Sequence, residues 1–373
     1  MIKNTIKRKV CHLTTVHVRY DTRIFVKECC CLAEKEYDVT LIVADGKGDE
    51  DKNGVRILDV GKPSGRIKRV LHYHKIILSK ALELNADIFH FHDPELLRIG
   101  TNLKKKGKIV IYDSHEDVPR QVLDKAYLPS FLRRPLSKII ERYENKIVSQ
   151  LSGVVTVTPN LERRFLITNK NVVQVCNFPK IQEFEIVGSQ NIVKEDAVCY
   201  VGAISKVRGV LNMVDAMRFS NGAKLLLGGK FENEGLREET VKSKGWKNVE
   251  ELGFLSRDEV RVTLEKSVAG LVVLEPTKSY VDSIPVKMFE YMIAGIPVVA
   301  SDFSYWRELI EKENCALFVD PQKPEDIGKA IKTLVNERQR ASEMGLRGRK
   351  AVLEKFNWAS QEKKLIAFYD SFS

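Results

Sequence analysis

Short apolar runs alternate with longer segments whose apolar residues recur at helical intervals. Val10–Thr15 is an apolar run of strand length, and Ile24–Lys35 has helical spacing. Asp38–Ala44 alternates and then turns apolar, which predicts a second strand. Further strands are predicted at Val55–Val60, Asp87–His92, Lys108–Tyr112 and Gly153–Val157, with helices at Arg66–Leu84, Pro94–Lys106 and Pro135–Gln150. Residues 181–195 are polar and without periodicity, and read as a linker. Strands resume at Ala197–Val201, Lys224–Leu227, Val249–Leu252, Gly270–Leu274, Pro297–Ala300 and Ala316–Val319, again with helices between them. Trp358–Phe372 is an amphipathic helix with no strand after it. This rhythm predicts an α/β chain with two parallel sheets, each covered by helices on both faces.

Length supports the division, because 373 residues exceed one ordinary core. A hydrophobic content of 43% with 30% charge fits a soluble globular protein. No apolar run reaches the ~18 residues of a membrane span. The basic start Met1–Lys9 leads into a single short strand and does not read as a signal peptide. The seven cysteines follow no metal-ligand spacing, and Cys29, Cys30 and Cys31 are adjacent on a predicted helix, so they point in different directions. They read as thiols of a reducing cytoplasm.

Charge changes the picture more. The net charge is +11, yet residues 1–180 hold 33 Lys/Arg against 21 Asp/Glu, a surplus of 12. The first half should therefore face something anionic: a membrane surface, a phosphorylated acceptor or nucleic acid. No recognised nucleic-acid motif is present. Two stretches, 66–77 and 125–140, interleave apolar residues with Lys/Arg. That pattern suits a membrane interface and equally a core-packing helix with a solvated face. His72 and His74 lie in the first of them and read as surface residues.

Candidate chemistry sits after the predicted strands, where open parallel sheets bind ligands. Residues 282–301 read as loop, helix start, turn and buried strand. The first N–H groups of a helix lack partners within it and suit an anion. Asp282 and Glu290 flank that loop, and Lys287, a cation in the first helical turn, opposes the helix dipole. Gly202 to Gly209, with Arg208, and Gly228-Gly229-Lys230 each follow a strand. The spacing of a P-loop is absent, as is Gly-x-Gly-x-x-Gly. In the first half, His92 with Asp93 and His115 with Glu116 come just past strands. His17, Asp21 and Arg23 occupy the same end. A loop histidine capping local backbone is the plainer reading of each.

Taken together, these residues resemble the retaining family-4 glycosyltransferases of the GT-B fold. Ser283-Ile284-Pro285-Val286-Lys287 through Glu290 to Ser301 is similar to that family's donor-site motif, and Gly202–Gly209 to its diphosphate loop. Gly228-Gly229, Gly253-Phe254-Leu255 and Leu274-Glu275-Pro276 fall where the family has other donor-side loops. The segments 17–25, 90–96 and 112–116 look like a subgroup of bacterial surface-polysaccharide (O-antigen or capsule) transferases. The resemblance implies two Rossmann-like domains facing each other across a cleft. These would be an acceptor domain at 1–180, a linker at 181–195 and a nucleotide-sugar domain at 196–356, with a helix at 357–373 returning to the first domain.

It implies donor contacts from Gly202, Arg208, Gly209, Lys230, Phe254, Leu255, Ser283, Ile284, Pro285, Val286, Lys287 and Glu290. Glu290 would bind the ribose. The catalytic candidates are His115, Asp282 and Glu290, and the acceptor-side candidates are His17, Asp21, Arg23, His92, Asp93 and Glu116. Asp282 stands where the family usually has Glu, and Ala203 where it often has a basic residue. No cofactor and no metal are implied beyond the nucleotide sugar, UDP being favoured and GDP next. The acceptor implied is a lipid-linked saccharide, and the location is cytoplasmic, peripheral at the inner membrane face. The competing readings are a nucleotide-sugar 2-epimerase or phosphorylase of the same fold, and a non-catalytic nucleic-acid-binding protein.

Overall fold

The computed structural model describes residues 7–65, 73–125, 128–184 and 193–372. It divides into two compact units: Met1–Asn177 with Ala359–Ser373, and Phe178–Trp358. His72 and most of the stretch 66–77 lie outside the described residues, as do 126–127 and 185–192 of the expected linker.

The first unit holds an eight-stranded sheet in the order β3-β4-β2-β1-β5-β6-β7-β8. The strands are β1 Lys9–Leu13, β2 Asp38–Val43, β3 Glu50–Lys52, β4 Val55–Asp59, β5 Ile88–Phe91, β6 Ile109–Ser114, β7 Gly153–Thr156 and β8 Val172–Gln174. All pair in parallel except β3, which runs against β4. The central strands are almost uniformly apolar because both faces are covered. Among the exceptions, three stand together at the middle of the sheet: His12 on β1, His90 on β5 and Asp113 on β6, all 0% exposed. His12 and His90 are register partners, and His92 follows His90 by two residues, so all three histidines share one face.

The helix after β1 differs from the regular α-helix that its spacing predicts. Thr22–Cys29 is a π-helix, in which Val26 N–H reaches back five residues to the Asp21 carbonyl. The Asp21 side chain caps it by accepting from the N–H groups of Arg23 and Ile24. The π turn places Arg23, Lys27 and Glu28 inside, and an α-helix, Cys30–Glu34, continues it. Single π turns inside helices often mark functional positions.

Four elements escape the hydrophobic pattern. Glu-Asp-Lys at β3 has no apolar residue, and β8 is only three residues long. The helices Val118–Asp124 and Pro159–Leu166 span two turns or fewer. The helix expected from Pro135 begins at Ser130, with Pro135 inside it. From the other end of the chain, helix Trp358–Asp370 brings Tyr369 into the first unit's core, 0% exposed.

The second unit has a six-stranded, wholly parallel sheet, ordered β11-β10-β9-β12-β13-β14. Its strands are β9 Ala197–Val201, β10 Lys224–Gly228, β11 Val249–Gly253, β12 Ala269–Val272, β13 Val298–Ser301 and β14 Ala316–Val319. The order reverses between β9 and β12, and such a switch point is where open α/β sheets bind ligands. All seven cysteines of the chain are buried and none forms a disulfide.

Candidate functional site

At the carboxyl end of the second sheet, loops pack so closely that side chains are excluded. A Cβ at Gly209 (φ +77°) would stand 1.9 Å from the Val273 carbonyl, and one at Gly229 (φ +144°) 1.9 Å from that of Gly202. Only glycine fits either position. Ser283 is tied down from both sides: its hydroxyl and N–H donate to the Tyr280 carbonyl, and Trp306 Nε1 donates to its own. The chain then passes Ile284 and Pro285 into helix Val286–Ile293. Pro285 offers no side-chain cap and Met288 N–H turns back to the Pro285 carbonyl, so the N–H groups of Val286 and Lys287 remain available.

Lys287 enters this arrangement from the helix. Its amine lies 3.7 Å from the centre of the Tyr200 ring and has no hydrogen-bond partner, although the nitrogen is buried. A Cβ on Gly202 would come within 3.0 Å of it. Burial, and then the nearby Arg208 guanidinium, lower its pKa to about 7. Arg208 reaches the Ala203 carbonyl at 3.4 Å and lies against the Tyr200 and Tyr280 side chains. Two basic side chains therefore share a glycine-lined loop cluster in which, among the described residues, neither makes a salt bridge, although the Glu290 charge is near enough to act on Lys287.

The remaining donor-side candidates are placed around these. Glu290 accepts from Arg257 Nη1 at 3.1 Å, a partner that the sequence reading misses. Phe254 is 86% exposed, and Leu255 packs against Gly228. Lys230 is exposed, and Asp282 is half-buried in the turn before Ser283.

In the first unit the polar groups close on one another. Asp113 accepts from His115 Nε2 at 2.7 Å and from His92 Nδ1 at 3.2 Å, while Arg23 grips it with Nε at 3.0 Å and Nη2 at 2.9 Å. Because an ionised carboxylate only accepts, both rings must present N–H to it. The Arg23 charge holds Asp113 well below the carboxylate range despite burial. His92 Nε2 then meets His12 Nδ1 at 2.9 Å, and the Tyr369 hydroxyl reaches His90 Nδ1 at 2.7 Å and His12 Nε2 at 3.3 Å. Glu28 lies among these rings. Burial, then the charge of Asp113, push it well above the usual carboxylate range.

Three of the acceptor-side candidates are drawn into the interior. Arg23, His92 and Asp93 are buried and engaged within the unit. Asp93 accepts from Thr15 N–H (2.5 Å), the Thr14 and Thr15 hydroxyls and Val16 N–H, so it holds the loop after β1 rather than facing solvent. His17 does reach the surface, beside Asp21 at 3.4 Å, and its pKa is raised by hydrogen bonding to Asp21 and by the charge of Asp93 against the cost of burial. His115 is 16% exposed, its ring set edge-on to His17. Glu116 is exposed and accepts from Gln121. The half-buried His74 takes no part in this cluster. Two groups offer metal-donor atoms within 4.8 Å of one another among the described residues: His12, Glu28, His90 and His92, and His92, Asp113 and His115.

Comparison with known proteins matches the two halves separately. Residues 23–172 match the model of Glycosyltransferase Family 4, and residues 182–351 that of Glycosyl transferases group 1. No curated protein matches the chain at a significant level. Among solved structures, a sucrose-phosphate synthase from Thermosynechococcus elongatus superposes with a TM-score of 0.79 at 18% identity, covering 98% of this chain and 99% of that one. HepE of Anabaena, in complex with UDP and glucose, gives 0.75 at 12% identity, covering 98% and 100%. WaaG, a glycosyltransferase involved in lipopolysaccharide biosynthesis, gives 0.71 at 14%, covering 96% and 99%. With both family models matched and both parallel-sheet units in place, the chain belongs to the family-4 glycosyltransferases and has their GT-B fold.

Proposed function

We propose that this protein transfers a sugar from a UDP-sugar, or failing that a GDP-sugar, to a saccharide acceptor, with retention of anomeric configuration and without a catalytic metal. The observation that carries this reading is the buried, unpartnered amine of Lys287 beside Arg208 and the free N–H groups of helix Val286–Ile293. Such a set lacks only an anion, and a nucleoside diphosphate supplies one. As the bond between the anomeric carbon and the diphosphate oxygen breaks, negative charge grows on the leaving group. Preformed cations and N–H groups stabilise that charge most where water is excluded. The acceptor hydroxyl forms the new glycosidic bond, and its proton passes to the leaving phosphate on the same face. Glu290 takes the ribose hydroxyls, and Asp282 is assigned to the donor sugar. His115, with its Nε2–H fixed on Asp113, orients the transferred sugar.

The acceptor in this reading is a lipid-linked oligosaccharide of surface-polysaccharide synthesis at the cytoplasmic membrane face. No helix among the described residues is long and apolar enough to cross a membrane. Helix Ser130–Val148, however, exposes Phe131, Leu132, Ile139 and Tyr143 among the exposed Arg134, Lys138, Arg142 and Lys146. Apolar groups ringed by cations suit an anionic bilayer surface.

A thermal-shift screen of nucleotide sugars tests the donor. UDP-sugars should stabilise the protein most, and absence of any shift with both UDP- and GDP-sugars sinks the assignment. With the donor known, His115→Ala should lower kcat by at least about tenfold, on the order of 1.4 kcal/mol, while donor binding changes little. Conversion of the free nucleotide sugar without an acceptor would point to the epimerase instead.

A further inference from the structure

Beneath His115, the first unit buries a group of donors that the transfer reaction does not use. His12, Glu28, His90 and His92 come from β1, the π-helix and β5, and their side chains are at most 2% exposed. The centres of the three imidazole rings form a nearly equilateral triangle, with sides of 4.7, 4.8 and 5.1 Å. Glu28 Oε2 lies 4.0 Å from His12 Nδ1, from His90 Nδ1 and from His92 Nε2. Neither carboxylate oxygen of Glu28 accepts a hydrogen bond, and His90 Nε2 has no partner. Arg23 Nε stands 3.1 Å from Glu28 Oε1, but its single N–H is spent on Asp113.

We propose that His12, Glu28, His90 and His92 bind a divalent transition-metal ion of the zinc class as a structural centre. A buried carboxylate that accepts no hydrogen bond is costly even beside Arg23, and a cation seated between Glu28 Oε2 and the three imidazoles would lower that cost. Three nitrogens and one carboxylate oxygen make a closed four-ligand set of the kind zinc takes. Bonds of about 2.0–2.1 Å would put neighbouring donors roughly 3.3 Å apart, so Glu28 must close in by a fraction of an ångström and the His12–His92 pair must open slightly.

The surroundings match a metal site's supporting groups. His92 donates its other N–H to Asp113, the carboxylate–histidine pairing that orients metal ligands. The Tyr369 hydroxyl bonds His90 Nδ1 at 2.7 Å and His12 Nε2 at 3.3 Å, so it must give up the first nitrogen to the ion and is then positioned to accept the His12 Nε2–H. The neighbouring group His92, Asp113 and His115 fits less well, because Arg23 already occupies both oxygens of Asp113. The centre lies wholly inside the unit and touches no substrate, so it is distinct from the metal-free chemistry proposed for transfer.

Metal analysis of the full chain, purified without a histidine tag from zinc-supplemented cells, tests this. About one zinc per chain is expected, and replacement by Co2+ should give the visible absorption bands of a tetrahedral cobalt centre. Glu28→Gln and His90→Gln should each lose the ion while still binding UDP, whose site lies in the other unit. Should these variants fail to fold, chelation of the wild type followed by Co2+ titration gives the same readout. A wild-type protein that holds no stoichiometric metal and develops no tetrahedral bands overturns the proposal. So does full occupancy retained in both variants. UDP binding in either case leaves the donor reading intact, so the two can fail separately.

Discussion

The two units treat their polar residues in opposite ways. In the second, the Lys287 amine is left without a hydrogen-bond partner among glycine loops that exclude side chains. In the first, Arg23, Asp113, His92, His12 and Tyr369 are joined in a continuous buried network. An unpaired buried cation costs stability and is useful only when a ligand arrives. A closed network costs little when complete, but each member depends on the others. The second unit therefore reads as a receptor for a charged ligand, and the first as a rigid mount for the few groups it exposes, His17 and His115.

The sharpest way to break this contrast is within the network. Arg23→Met leaves Asp113 buried without its cation and should destabilise the first unit by about 3–5 kcal/mol. Chemical denaturation followed by probes in each unit should show the loss in the first alone. The opposite sign is expected in the second unit. Lys287→Met removes a desolvated basic group, so the ligand-free protein should gain thermal stability while UDP binding weakens by about 1.5–3 kcal/mol, or roughly 10–150-fold. Calorimetry measures both, and a loss of stability without loss of affinity would make Lys287 an ordinary core residue.

The same lysine predicts a pH dependence. Its folded pKa of about 7 lies below its ordinary 10.5. The ligand-free protein should therefore lose stability as pH falls from about 10.5 toward 7, because the unfolded chain binds a proton on this amine that the folded protein does not. A diphosphate restores the charged form, so UDP binding near pH 8 should take up a proton. Calorimetry in buffers of different ionisation enthalpy detects that uptake, and Lys287→Met should abolish it. The smallest effect is expected at Arg257, whose ion pair with Glu290 is largely exposed. Arg257→Ala should change stability by less than about 1 kcal/mol, while altering UDP affinity if Glu290 must be held for the ribose.

The contrast also explains what could be read from the chain. The proposed donor loops are contiguous: Gly202–Gly209 and residues 282–290 each follow one strand, so a linear scan finds them. Even there, Arg257 was invisible, since it reaches Glu290 from another helix. The first unit's cluster is assembled by strand register. His12 meets His90 because β1 pairs with β5, and Tyr369 arrives from hundreds of residues away. The His-x-His of residues 90–92 was the only local hint, and the pattern signals a shared face only once the strand is known. The π-helix has no hydrophobic signature distinct from an α-helix of the same length, so the inward turn of Glu28 could not be foreseen. Likewise, Asp93 and Arg23 read as loop charges, whereas folding spends them on Thr15, Asp113 and the Val175 carbonyl.

The C-terminal helix has a consequence for biosynthesis. The Tyr369 hydroxyl completes the histidine cluster, Asp370 receives the hydroxyl of Tyr37, and Arg8 donates to the Phe372 carbonyl. On the ribosome, residues 359–372 emerge only after the whole of 178–358. The unit begun first is thus finished last, and its nascent form waits with three buried imidazoles and a carboxylate unsealed while its neighbour is synthesised and folds. Quality control that samples the chain during that interval would meet an amino-terminal unit still lacking its last helix.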